Sequence, residues 1–258
     1  MNNILVIAKK DFKSLVFSSP LWVISTLCSA VWSYLYLREL STFVQRSSFV
    51  GGGPAGGADS LNIYYEVFAK HISLSNVIFL FLIPALTMKL LSEERKQKTY
   101  NLLLTVPISS LSIAVGKFLA GFGASLVLVF ISLLYPLGTG LVADFSYSIL
   151  FSAYLGLAFI VGAYVSVGLL SSSLTKSPLL SVMMGVILNL SILIVLGQAD
   201  FLSEYPTFQS MIEYLSIGSH FVEFMQGLLQ SKSIIYFISF ISFFVFLTNR
   251  IIESSRWR

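Results

Sequence analysis

The sequence predicts an all-α, polytopic membrane protein with six transmembrane helices. Three observations carry that expectation. Mean hydropathy is +0.85. Charged residues make up only 11% of the 258 positions, against about 25% in a soluble domain. Six apolar runs approach or exceed the roughly 20 residues that a spanning helix needs. The same composition excludes an ordinary soluble enzyme, a disordered tail and a nucleic-acid-binding module. The single cysteine, Cys28, excludes an intrachain disulfide or a Cys-based metal cluster.

The spans fall near 22–37, 73–92, 111–136, 148–172, 179–199 and 232–250, within a single transmembrane domain over 1–258. The first is short and the third long, so tilt or interfacial extension is expected there. No small-residue cleavage site follows the first apolar run, which argues against a cleaved signal peptide. An even number of spans puts both termini on one side. Of the 16 basic residues, 12 fall on that side and 4 on the other, where only Arg38, Arg46, Lys70 and Lys232 lie. Basic loops stay in the cytoplasm, so both termini are expected there. Lys89 and Lys117 fall inside apolar runs, and snorkelling to the nearby interface is the expected reason.

Residues 4–16 form an amphipathic pattern. Ile4, Leu5, Ala8, Phe12, Leu15 and Val16 share one face, opposite Lys9, Lys10 and Lys13. Such a helix belongs in the headgroup region of an anionic leaflet. Ser18-Ser19-Pro20 breaks it and starts the first span. The stretch 38–72 reads as an outer loop with a flexible Gly-rich tract at 51–57 and a short interfacial helix set by Leu61, Tyr64, Tyr65, Phe68 and Ile72. At 93–107, acids precede bases and three leucines precede a proline. Ser92 as a cap and acids in a first turn predict a short cytoplasmic helix; a solvated extension of the second span is the alternative. Between 200 and 231, Phe208, Met211, Ile212 and Leu215 make one stripe, and Phe221, Phe224, Met225 and Leu228 another. Ser216-Ile217-Gly218-Ser219 separates them. Two short helices are expected, sunk in the outer leaflet or packed on a partner protomer.

Chemistry-bearing motifs are missing. His71 and His220 have no partner at metal-ligand spacing. No Gly-x-Ser-x-Gly elbow occurs. Gly116-Lys117 lacks the first glycine and the Ser or Thr of a P-loop, since Leu111 and Phe118 stand there. The chain therefore carries no motif for hydrolysing ATP. No acid lies at mid-depth in any span, which argues against an ion-coupled carrier. Asn189 is expected to make an interhelical hydrogen bond. Gly116, Ala120 and Ala124, and likewise Ala158, Gly162 and Ser166, recur at spacing four, as close helix packing requires.

Three stretches then carry a resemblance. They are Leu90-Leu91-Ser92-Glu93-Glu94-Arg95-Lys96-Gln97-Lys98-Thr99, Leu102-Leu103-Leu104-Thr105-Val106-Pro107-Ile108-Ser109 and Gly116-Lys117-Phe118-Leu119-Ala120. They resemble the signature of type-2 ABC exporter permeases. Lys10-Asp11-Phe12-Lys13-Ser14 and Ser18-Ser19-Pro20 resemble that family's elbow helix. Leu215-Ser216, His220-Phe221, Phe224, Gly227, Tyr236 and the tail Glu253-Ser254-Ser255-Arg256-Trp257 look like its gliding-motility subgroup. Lys98 departs from the pattern, because the family often has Gly there, and Asn101 stands where it often has Glu.

The resemblance implies a permease subunit of the bacterial cytoplasmic (inner) membrane, working in export as one of two facing six-span subunits. Two ATPase subunits would sit below. The partners implied are that cytoplasmic ABC ATPase, a second permease copy or related chain, an accessory subunit with an extracytoplasmic domain, and the bilayer; no nucleic acid is implied. ATP and Mg would bind the ATPase, and this chain would hold no cofactor. Glu93, Glu94, Arg95, Lys96, Lys98, Thr99, Leu102, Leu103, Leu104, Thr105 and Pro107 would form the ATPase-coupling segment. Lys9, Lys10, Phe12 and Lys13 would belong to the membrane-surface elbow helix. A structural anchor for a motility or secretion apparatus stays open as an alternative; an ATP-independent carrier fits less well.

Overall fold

The computed structural model describes residues 2–50, 62–100, 108–197 and 206–255. Nine α-helices and one π-helical turn follow in order among them: α1 (Asn2–Val16), α2 (Ser19–Val50), the turn Tyr64–Phe68, α3 (Ala69–Lys96), α4 (Ser110–Thr139), α5 (Tyr147–Leu174), α6 (Pro178–Leu196), α7 (Pro206–Leu215), α8 (Ile217–Met225) and α9 (Ser231–Ser254). No strand occurs among the described residues. Six helices are long and apolar enough to cross a membrane, at Ser19–Ser48, Tyr64–Lys96, Ser110–Thr139, Tyr147–Leu174, Pro178–Val195 and Ser231–Ser254. They coincide with the six spans read from the sequence.

The core sits around α5, whose most apolar stretch is 83% buried, against 28% for α2, 22% for α9 and 17% for α6. Small residues on α5 bring its neighbours close. A Cβ added at Gly156 would lie 2.5 Å from Cβ of Phe224 on α8, and one at Gly162 3.0 Å from Ile241 on α9. Gly168 packs against Thr87 of α3. In lipid, apolar surface gains little by leaving the solvent, so close backbone approach supplies the packing energy instead. The spacing-four stripes therefore serve the interior of the unit, as expected.

Several boundaries differ from the expectation. α2 runs to Val50, so residues 38–50, read as loop, are helix. Arg38 and Glu39 end an apolar span, but they are good helix formers and no Gly or Pro intervenes before Gly51. Leu61 of the expected short helix lies outside the described residues; the rest is continuous with α3 through the π turn, with Tyr64, Phe68 and Ile72 buried inside. At 33 residues this combined helix is about 50 Å long, beyond the ~30 Å hydrocarbon core. The Gly-rich tract lies outside the described residues. Ser92 is no helix cap: its hydroxyl donates to the Met88 carbonyl at 2.6 Å, inside α3. The acids Glu93 and Glu94 therefore occupy the last turn of α3 rather than the first turn of a new helix.

Between α6 and α9 the two short helices appear, split at Ser216, whose Oγ accepts from the Ser219 amide at 3.4 Å. They differ in burial. α8 buries Phe221 and Phe224 against α5, whereas Phe208, Met211 and Leu215 of α7 face outward. Asn189 is buried, but its Nδ2 has no hydrogen-bond partner among the described residues, so the expected interhelical bond from that amide is not made.

Candidate functional site

Three helices converge at the end of the bundle that carries both termini. α1 packs on the first turns of α4 through Ile7 and Phe12. A Cβ at Gly116 would stand 3.0 Å from Ile7, and one at Gly123 3.1 Å from the Phe12 ring. The buried stripe of α1 is Ile7, Asp11 and Leu15, at i, i+4 and i+8. It is rotated from the expected face, and Leu5 and Val6 point outward at 62% and 65% exposure.

This rotation sets an acid inside the contact. Asp11 Oδ2 lies 3.0 Å from Lys117 Nζ, and Glu94 Oε1 of α3 lies 2.9 Å from the same ammonium. The Lys117 side chain is 1% exposed, that of Asp11 10% and that of Glu94 21%. Burying an ammonium is costly unless it is paired in this way. Lys117 therefore does not snorkel to the interface; it turns inward and ties α1, α3 and α4 together. Lys10 lies 3.9 Å from the other Asp11 oxygen, from an exposed position. Glu94 Oε2 is buried with no hydrogen-bond partner among the described residues.

Arg95 also turns inward. It donates from Nη2 to Ser255 Oγ at 3.2 Å, and its guanidinium lies 4.6 Å from the centre of the Tyr100 ring. This joins the end of α3 to the end of α9. After Lys96 the chain turns, and Lys98 takes φ 61°, in the left-handed region. That explains why a glycine suits this position, as the resemblance suggested. Glu93 is half-buried and accepts from Gln97 Nε2 at 3.5 Å. Lys96, Lys98 and Thr99 are exposed, as are Lys9 and Lys13 on α1. Leu102, Leu103, Leu104, Thr105 and Pro107 lie outside the described residues. A groove of about 580 Å³ opens between α1 and the end of α3, with Asp11, Glu93, Glu94, Lys10 and Lys89 on its walls.

Sequence reasoning did not place Asp11 or Lys117 in the site. A signal was present: each is a lone charge on an otherwise apolar stripe, and the two have opposite signs.

The far end holds a second polar cluster. Lys232 Nζ lies 2.6 Å from Glu223 Oε1, and Ser233 donates to Glu223 Oε2 at 2.5 Å. His220 bonds the Tyr214 carbonyl through Nε2 and lies 2.9 Å from Ser233 Oγ through Nδ1. Burial alone would raise the Glu223 carboxyl, but Lys232 and Ser233 outweigh it and hold the group below its ordinary value. His71 meets Ser132 at 3.0 Å inside the bundle. Among the described residues no three His, Cys, Asp or Glu gather as a metal site would require.

Six membrane-crossing helices define a multi-pass membrane protein. Residues 5–255 match the family model described as ABC-2 family transporter protein, and the chain belongs to that family. It is accordingly a permease component of an ABC transporter, embedded in a membrane and partnered by an ABC ATPase. A search of curated proteins found no match.

Proposed function

We propose that the chain couples ATP hydrolysis by a separate ATPase subunit to export across the bacterial inner membrane, with both termini cytoplasmic and a second permease subunit facing it. The whole chain would act as one transmembrane domain, and ATP and Mg would be held by the ATPase alone. Gliding motility is the setting that the C-terminal resemblance favours. The observation that carries the coupling role is the Lys117 cluster. It joins α1 to the last turn of α3 and to the core of the bundle. A push on either contact helix then reaches α4 directly. The exposed Lys96, Lys98 and Thr99 would form the docking edge.

Variants of Glu93 and Glu94 test the assignment. Reversing both to Lys should lower ATPase co-purification and stimulated ATP turnover. Replacing both with Gln should lower them less, with little loss of permease stability, since Lys117 keeps Asp11. Wild-type coupling in both variants would remove these acids from the site.

A further inference from the structure

A second groove, of about 570 Å³, runs between α2 and the last turns of α4, at the end of the bundle away from the termini. Ligand pockets span about 300–1,000 Å³, so its size suits a small molecule. Along α2 it extends from Ser33 to Val44, roughly 16 Å of helix. No charged side chain lines it among the described residues. Its tyrosine hydroxyls are engaged within the protein: Tyr36 bonds Thr139 at 2.5 Å, and Tyr135 donates to the Ser29 carbonyl at 2.8 Å. The surface left for a ligand is hydrocarbon.

Two ion pairs fix its height. Lys70 of α3 meets Glu39 at 3.5 Å, and Arg46 meets Glu66 at 3.2 Å. Charges avoid the hydrocarbon region, so α2 has left it by Glu39. Ser33 and Leu37 lie below that level, and Leu37 continues the exposed apolar face that α2 turns to lipid. Phe43 and Val44 lie between Glu39 and Arg46, yet they line the groove, with Ile63 and Val142 beside them. The groove therefore starts in the membrane and ends about 7 Å above it. Water in that upper half is unfavourable. Just past Val44, α2 turns polar at Gln45, Arg46, Ser47 and Ser48. A slot continuous with the bilayer below and topped by polar groups fits a molecule with a hydrocarbon tail and a polar head. We propose that this groove binds one acyl chain of a phospholipid from the leaflet away from the termini, and holds its headgroup raised to the level of Gln45–Ser48. The inference needs only the chain's place in a membrane, not the export role. It gives the permease a site that lifts a lipid partway out of the bilayer.

The test supplies membranes holding the full chain with phosphatidylethanolamine that carries a diazirine in one acyl chain. Irradiation and peptide mapping by mass spectrometry locate the adducts. The proposal expects adducts on Phe43, Val44 or Ile63, above the bilayer, besides those on Ile187, an exposed apolar control on α6. G138W should remove the first set and keep the second. Gly138 lines the groove, and a Cβ there meets nothing within 4 Å, so an indole has open space to fill. The loss should be at least about tenfold, because shutting two methylenes out of an apolar site already costs that factor. V44E, at an exposed position, should likewise cut the adducts on Phe43 and Ile63, and it decides should G138W fail to assemble. Wild type with adducts on Ile187 but none above Glu39, or variants that label like wild type, would overturn the proposal. Val142, 93% exposed, is then replaced by photo-reactive benzoylphenylalanine to identify the occupant directly. An adduct of phospholipid mass is expected. A cross-link to a second copy, to another protein or to another part of this chain overturns the proposal.

Discussion

Lys117 shows what a single residue decides here. Its ammonium holds two acids from two other helices, so removing it leaves both carboxylates unpaired in a partly buried site. K117M should destabilise the solubilised protein by about 3–5 kcal/mol, read as a lowered thermal midpoint. E94Q should do much less, because Asp11 still pairs with the lysine. Equal midpoints for K117M and wild type would contradict the assigned geometry. Lys98 works in the opposite direction. A non-glycine residue in the left-handed region is strained by about 1–2 kcal/mol. K98G should therefore raise the thermal midpoint, by an amount worth up to about 1 kcal/mol after the entropy cost of glycine. A lowered midpoint would mean that the lysine side chain makes a compensating contact. These two residues also mark the limits of reading by sequence. The glycine preference at 98 was visible in the resemblance, but its cause, a positive φ, was not. Lys117 stood out as a charge in an apolar run. Snorkelling and inward pairing leave the same trace in one dimension, and only the position of Asp11 separates them.

At the scale of elements, apolar runs located every span, because hydropathy reports the bilayer directly. They did not locate helix ends. α2 and α3 continue through Arg38–Val50 and Tyr64–Phe68, where charges end the apolar run without ending the helix. The stripes of α7 and α8 look alike in sequence, yet only α8 finds a partner surface, because Gly156 of α5 opens room for Phe224. The link from α8 to α9 through Glu223 and Lys232 carries a pH dependence. The folded Glu223 carboxyl titrates below its ordinary value, so its contribution is fully present above about pH 4.3, the unfolded value. It is lost as pH falls from there through the lower folded value. Hydrogen exchange of α8 amides, corrected for intrinsic rates, should accelerate on acidification in wild type and change little with pH in E223Q. Identical pH profiles would exclude Glu223 as the titrating group.

For the molecule as a whole, the proposed orientation rests on the sequence, which assigns 12 of 16 basic residues to the side of the termini. In a Cys28-free background, cysteines at Gly52 and Ser210 should react with a membrane-impermeant thiol reagent from outside. A cysteine at Gln97 should react only after permeabilisation. External labelling at Gln97 would invert the topology and move the Lys117 cluster away from any cytoplasmic ATPase.

The central claim is that this permease is driven by an ATPase on another chain, docked at the end where α1, α3 and α4 meet. The most direct measurement is affinity purification of the tagged full chain from native membranes in mild detergent, followed by an ATP turnover assay on the eluate. The account predicts a stoichiometric partner with its own phosphate-binding loop, and ATP turnover that falls when Glu93 and Glu94 are reversed. A chain that elutes free of any ATPase, yet moves solute in vesicles under an ion gradient alone, would contradict it.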